Sequence, residues 1–296
     1  MRKTFVQVAS SVLEQNKNAS LLLGDIGVFG FREMLANYPQ RVMNIGILEQ
    51  SMISVAAGMS SEGVIPTVHT IAPFIVERAY EQIKVDFGYQ SLAGNLVSVG
   101  ASFDYAALGC THHCPADVNL ISNIPTANIF IPGHPNEFER MYLGNWDNGQ
   151  LNYFRLSESK NRKDFPIEIG ESVRIQSGKK AIVVAVGPIL EELLEVANDL
   201  DIEIHYVNGF KSDAEIKFDI QTKSKVVIFI EPYYSGQLAQ SSWGTFASNQ
   251  YSIHQIGVPK KFIRKYGTYR DQLEYLDLSS SKLAKRIKEI ISHESN

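Results

Sequence analysis

Short apolar runs alternate with stretches of helical spacing along most of this chain, and that alternation limits the fold more than any other feature. Leu21–Gly24, Arg41–Gly46, Asn95–Val99 and Asn128–Pro132 read as buried strands, most of them bounded by Gly or Pro. Between them, Leu48, Met52, Val55, Ala56 and Met59 mark one face of a helix, and Ile75, Ala79, Ile83 and Phe87 mark the face of another. Strand–helix alternation predicts a parallel sheet covered on both faces, because each crossover lays a helix over the sheet. The polar stretch Ser157 to Asp164 reads as an exposed linker. The alternation then restarts. Ala181–Gly187 is a strand, and Pro188 to Leu200 is a helix with Leu190, Leu193, Leu194 and Ala197 on one face. Glu203–Val207 and Lys225–Ile230 are further strands, and Ser279 to Ser292 is a closing helix. The fold class is α/β, with two doubly wound domains at residues 1–160 and 165–296.

At 296 residues the chain is long enough for each domain to bury its own core. It carries 28 basic and 32 acidic residues, a net charge of -4, so nothing points to nucleic acid or an anionic membrane. No apolar run reaches the roughly 18 residues that a membrane helix needs. The first residues faintly resemble a signal peptide, but Gln7, Ser10, Ser11 and Glu14 interrupt the apolar region. Phe5, Val8, Val12 and Leu13 instead recur at helical spacing and predict an amphipathic first helix. Two cysteines form no disulfide framework, and the expected location is the cytoplasm.

Few residues invite chemistry on their own. Glu49 stands just past a strand, where a carboxylate is favoured by the helix macrodipole whatever its role. Cys110-Thr111-His112-His113-Cys114 places four ligand-type side chains within five residues. They are too close together to close a tetrahedron, and no second cluster exists, so no metal site is assigned to this chain.

The order of the motifs says more. Asn44-x-Gly46-Ile47-x-Glu49-Gln50-x-Met52 is followed by Ala56-Ala57-Gly58-Met59 and Gly63-x-x-Pro66. Thr70-x-x-x-Phe74-x-x-x-Arg78-Ala79-x-Glu81-Gln82-Ile83 comes next, then Gly109-x-Thr111-His112, then Ile124-Pro125 through Ile131-Pro132 and Glu137. In this order and spacing the first domain resembles the pyrimidine-binding domain of transketolases. Residues 165–296 look like that family's C-terminal domain, and the whole chain resembles the C-terminal subunit of a split, two-subunit transketolase.

The resemblance implies roles. Glu49 would hydrogen-bond the aminopyrimidine nitrogen of thiamine diphosphate, favouring the imino tautomer that removes the thiazolium proton. Phe74 would line the pyrimidine pocket. Ile71 stands where the family usually has a second aromatic, so the pocket would be looser there. Asp25 matches an acidic position near the thiazolium, with a helix cap as its ordinary alternative. His112 matches the substrate-facing histidine and would donate to ketose oxygens or move a proton. His113 and His69 are either further polar pocket groups or surface groups, and Arg155 lies near the substrate end. The Gly-Asp-Gly run that holds the diphosphate in this family is missing. The diphosphate and its Mg2+ (or Ca2+) would therefore be held by a partner subunit, in an α2β2 heterotetramer.

The substrate side departs from the family pattern. Gly100 replaces a histidine, Ala107-Leu108 replace an acidic pair, and Glu158 stands where a phosphate-binding arginine is expected. A carboxylate there would repel a sugar phosphate. The expected activity is transfer of a two-carbon ketol unit between sugars, with a nucleotide-linked, modified or unphosphorylated substrate. The alternatives are the β-subunit of a 2-oxo acid dehydrogenase, a deoxyxylulose-phosphate-synthase-like enzyme, or a non-catalytic scaffold subunit.

Overall fold

The computed structural model describes residues 1–247 and 251–294. Two sheets organise them. The first takes β1 (Ala19–Leu23), β2 (Val42–Asn44), β3 (Ile65–Ile71), β4 (Gly94–Val99), β5 (Asn128–Phe130) and β6 (Leu151–Arg155). The second takes β7 (Val173–Gln176), β8 (Ala181–Val186), β9 (Ile202–Val207), β11 (Val226–Tyr234) and β12 (Ser252–Val258). β10 (Gly209–Lys211) follows the first strands of the second sheet, yet it pairs antiparallel with β5 and completes the first. The strand orders are β10-β5-β6-β4-β3-β1-β2 and β12-β11-β8-β9-β7. Every pairing is parallel except β10 with β5 and β7 with β9. The doubly wound α/β expectation holds.

The first helix, Arg2–Gln15, buries Phe5, Val8, Ala9, Val12 and Leu13, which are the positions its spacing picked out plus Ala9. Elsewhere the physical detail departs from the expected pattern. Ile75, Ala79, Ile83 and Phe87 are all fully buried, but on no regular α-helix. The segment consists of a wide i→i+5 turn at Pro73–Glu77, one α-turn at Tyr80–Gln82 and a second wide stretch at Ile83–Tyr89. The cause lies in the spacing. A strict four-residue repeat outruns the 3.6-residue α-turn, and widened turns keep all four side chains on the core face.

The expected helix from Pro188 to Leu200 shortens to Leu190–Leu194 between two 3₁₀ turns. The polar stretch from Ser157 is exposed at Glu158, Lys160, Arg162 and Lys163, as expected of a linker, but it is pinned to the fold at Ser157 and Asn161. Asp104 accepts hydrogen bonds from the Ser157 hydroxyl and the Glu158 N–H, each at 2.9 Å. Asn161 is buried, its N–H on the Gly133 carbonyl at 2.7 Å. Ser157 is thus held by a carboxylate, and the Asn161 side chain donates to the Gly187 carbonyl at 3.3 Å.

No helix among the described residues is long and apolar enough to cross a membrane.

Candidate functional site

The site forms at the carboxyl ends of the parallel strands of the first sheet, where open α/β sheets bind ligands. Asn44, the last residue of β2, ties two of these ends together. Its Oδ1 accepts from the N–H of Asp25 at 3.0 Å and of Gly46 at 3.1 Å, and its Nδ2 donates to Asp25 Oδ1 at 3.1 Å. Asp25 is thereby held in the left-handed region at φ 61°, which is uncommon for a residue with a Cβ. It caps no helix, since the next one runs from Arg32 to Asn37.

Gly46, with φ 79°, turns the chain toward the helix Glu49–Ser61. Glu49 opens that helix and is 1% exposed. Its Oε2 accepts from Arg78 Nη1 at 2.7 Å, while its Oε1 is buried with no hydrogen-bond partner. Arg78 lies four residues past Phe74, so its guanidinium stacks on that ring, 4.2 Å from the centroid. The Phe74 ring meets His112 edge-on at 5.3 Å, and Tyr105 meets His112 from another side at 6.3 Å. Thr111 Oγ1 lies 2.9 Å from His112 Nδ1. Glu49, Arg78, Phe74 and His112 therefore form one continuous row.

The turn that carries His112 depends on Gly109. Its backbone sits at φ 72°, ψ -158°, a region essentially restricted to glycine. Its carbonyl accepts from the N–H of both His112 and His113. His113 is buried, and burial pushes its pKa down.

Other expected site residues lie elsewhere. Ile71 is buried in the apolar core against which Phe74 and Tyr105 pack. His69, expected as a pocket or surface group, is fully buried in β3. Its Nδ1 lies 2.8 Å from the Val97 carbonyl and its ring 4.7 Å from Phe5. Burial pushes its pKa down to about 4, so it is a neutral core histidine.

Arg155, expected near the substrate, is 2% exposed. Its Nε donates to Asp117 Oδ2 at 2.7 Å and its Nη2 to Ser102 Oγ at 2.5 Å. Both contacts lie inside the fold, and neither reaches the Glu49–His112 row. Sequence reasoning missed two contributors. Arg78 was visible inside the motif but was given no role, and its i+4 spacing from Phe74 was the available signal. Tyr105 packs against Gly100 so closely that no side chain fits there, which ties the loss of the family's histidine to the presence of this ring.

A buried carboxylate with a free oxygen, an arginine-backed aromatic wall and a histidine turn define a ligand site at the strand ends of an α/β sheet. Comparison with known proteins names its class. Residues 1–163 match the family model "Transketolase, pyrimidine binding domain", and the chain belongs to that family.

It is 32% identical over 291 residues to an uncharacterized 33.6 kDa protein in the fasciation locus of Rhodococcoides fascians, covering 97% of this chain and 93% of that protein. It is 30% identical over 211 residues to one of the subunits of the apulose-4-phosphate transketolase of Actinobacillus succinogenes, covering 67% of each. It is 27% identical to 1-deoxy-D-xylulose-5-phosphate synthase of Histophilus somni, covering 88% of this chain but only 43% of that protein. A solved split gene transketolase, described as an inactive beta4 tetramer, superposes with a TM-score of 0.80 at 19% identity, covering 98% of this chain and 97% of that one.

Proposed function

We propose that this chain is the pyrimidine-binding subunit of a split, thiamine-diphosphate-dependent transketolase-like transferase. In this reading residues 1–160 form the cofactor domain and residues 165–296 the C-terminal domain. A partner subunit holds the diphosphate and its Mg2+ or Ca2+ in an α2β2 assembly, in the cytoplasm. One observation carries the reading: Glu49 is buried, with one oxygen held by Arg78 and the other unpartnered. Leaving a charged group's oxygen unsatisfied costs more than the roughly 1–3 kcal/mol of a neutral one, and packing alone does not call for it. The ring N–H that a pyrimidine carries in its imino tautomer is a donor that fits that oxygen, so an unpartnered carboxylate oxygen there favours that tautomer.

Bound thiamine diphosphate would supply the electron sink for breaking the bond beside a ketose carbonyl. Glu49 would hold the proton at its Oε1 on the pyrimidine nitrogen. Arg78 fixes the rotamer of that carboxylate through its 2.7 Å bond, and Phe74, backed by the same guanidinium, gives the ring a flat apolar wall. His112, its Nδ1 beside the Thr111 hydroxyl, keeps Nε2 for substrate oxygens.

On the substrate side, Arg155 is spent on Asp117, and Glu158 follows it. We therefore place an unphosphorylated, modified or nucleotide-linked sugar in the site. The name of the Actinobacillus relative contains a sugar phosphate, so the assay must include one. A second reading, decarboxylating transfer from a 2-oxo acid, is favoured by the match to deoxyxylulose-phosphate synthases.

Native mass spectrometry of the chain from its own cells should show a diphosphate-binding partner and bound cofactor. In that complex Glu49→Gln should assemble normally and lose at least about a hundredfold in turnover. Unchanged turnover would leave only a scaffold role. Release of carbon dioxide would select the second reading, and fast turnover of pentose phosphates would overturn the substrate assignment.

A further inference from the structure

The closing helix Ser280–Glu294 is two-faced. Leu283 and Ile287 enter the core, while Lys282, Lys285, Arg286 and Glu289, spaced by three and four, share another face. That face borders a cavity of about 520 Å³, with Gly257 and Pro259 at the carboxyl end of β12 and with Lys261 from the loop beyond. The place is significant, because β12 runs parallel to β11 and ligands of open α/β sheets gather outside the carboxyl ends of such strands.

The cavity is lined by four cations and two carboxylates, Asp277 and Glu289. Both carboxylates already have a lysine, Lys282 at 3.2 Å from Asp277 and Lys285 at 3.8 Å from Glu289. Among the described residues, the Lys261 ammonium meets only the Tyr275 ring, at 5.4 Å. Arg286 is partly buried and makes no ion pair among the described residues. The lining thus carries two uncommitted positive charges, one of them a guanidinium suited to bidentate binding of a tetrahedral oxyanion. The cavity is of ligand size.

We infer that this cavity is a second binding site, on the other sheet from Glu49, for a phosphorylated small molecule of sugar-phosphate to nucleotide size. Arg286 and Lys261 clasp the phosphate, and Lys282 and Lys285 add to the field.

The test is calorimetric titration of the full chain with ADP and, separately, with ribose 5-phosphate at low salt. At least one should bind saturably at one equivalent per chain. Tighter ADP binding identifies a nucleotide site, and tighter ribose 5-phosphate binding a sugar-phosphate site. Arg286→Gln with Lys261→Gln should weaken the tighter probe about tenfold or more. Glu49→Gln should leave it unchanged, which keeps this outcome separate from the fate of the pyrimidine site. A matching urea midpoint for the double variant guards against misfolding. The inference is overturned if neither probe saturates or if the double variant binds as the parent does. It is also overturned if removing two exposed lysines of the first helix and its following turn, Lys3 and Lys17, weakens binding equally, because the effect would then be one of net charge.

Discussion

Replacing Arg155 by Met tests whether the interior beneath the His112 turn is held by one charge pair. Arg155 is among the largest fully buried side chains, and its partner Asp117 is fully buried as well. Asp117 Oδ2 receives Arg155 Nε at 2.7 Å and the Tyr153 hydroxyl at 2.8 Å, while Oδ1 has no partner. Arg155→Met fills much of the same volume but leaves a carboxylate in that place with one neutral donor. Removing one partner of a buried pair costs about 3–5 kcal/mol, mostly because the other charge stays behind. Removing both, as Arg155→Met with Asp117→Leu, leaves no uncompensated charge and should recover at least about 2 kcal/mol of that loss. Urea unfolding of the three proteins measures both steps, with shifts read at unchanged slope. A single-variant cost below about 1 kcal/mol, the range of an exposed pair, would refute the reasoning. So would a double variant less stable than the single one.

Two further outcomes follow, one from the core and one from the His112 turn. Burial lowers the pKa of His69 from 6.5 to about 4, so the folded chain holds it neutral while the unfolded chain takes up a proton below its ordinary pKa. Stability from this group is complete above pH 6.5 and falls by about 3 kcal/mol on the way to pH 4. His69→Asn, which can still donate to Val97, should flatten that fall. Asp104 and Glu231, both raised to about 7 by burial, act in the opposite sense, losing stability as pH rises through that range, so the readout is the difference between parent and variant. Parallel pH curves would show that His69 does not titrate as argued. Gly109→Ala forces a Cβ into a glycine-only conformation and to 2.5 Å from the Tyr266 ring. It should cost about 1–3 kcal/mol and reduce turnover of the assembled enzyme, and an equally stable, equally active variant would remove the backbone argument.

How far the chain could be read from its residues depended on whether polar atoms were satisfied locally or from afar. β8 is purely apolar, and β1 and β4 keep adjacent apolar residues in Leu21–Leu23 and Leu96–Val97, so these strands were legible. β3, interior in the same sheet as β1 and β4, was not, because Pro66, Thr67, His69 and Thr70 break its pattern. Their partners Tyr142, Val97 and Gly24 are remote in sequence. β10 is three residues long and joins a sheet built mostly by an earlier part of the chain, which no periodicity records. Glu49, Phe74 and His112 stood out through the order of their motifs, and the structure brings them together. The burial of Arg155 was invisible, since an arginine at a strand end looks the same whether it faces a ligand or an aspartate 38 residues back.

The same contrast explains how an irregular segment can present the side chain proposed to meet the substrate. Between Ser102 and Asp117 the chain has only a short 3₁₀ stretch at Ala106–Thr111, too little regular structure to fix His112 by itself. The rigidity comes from its ends. Cys114 N–H donates to the Ser102 carbonyl at 2.7 Å, closing the loop on itself. Ser102 Oγ donates to the Pro232 carbonyl and receives Arg155, while Asp117 receives Arg155 at the other end. One guanidinium therefore grips both ends of the loop, and β11 supplies the backstop. Catalytic loops require such a scaffold, because a side chain displaced by an ångström loses much of its effect. Arg155 thus holds the loop that carries His112, and in the proposed enzyme its loss should lower turnover as well as stability.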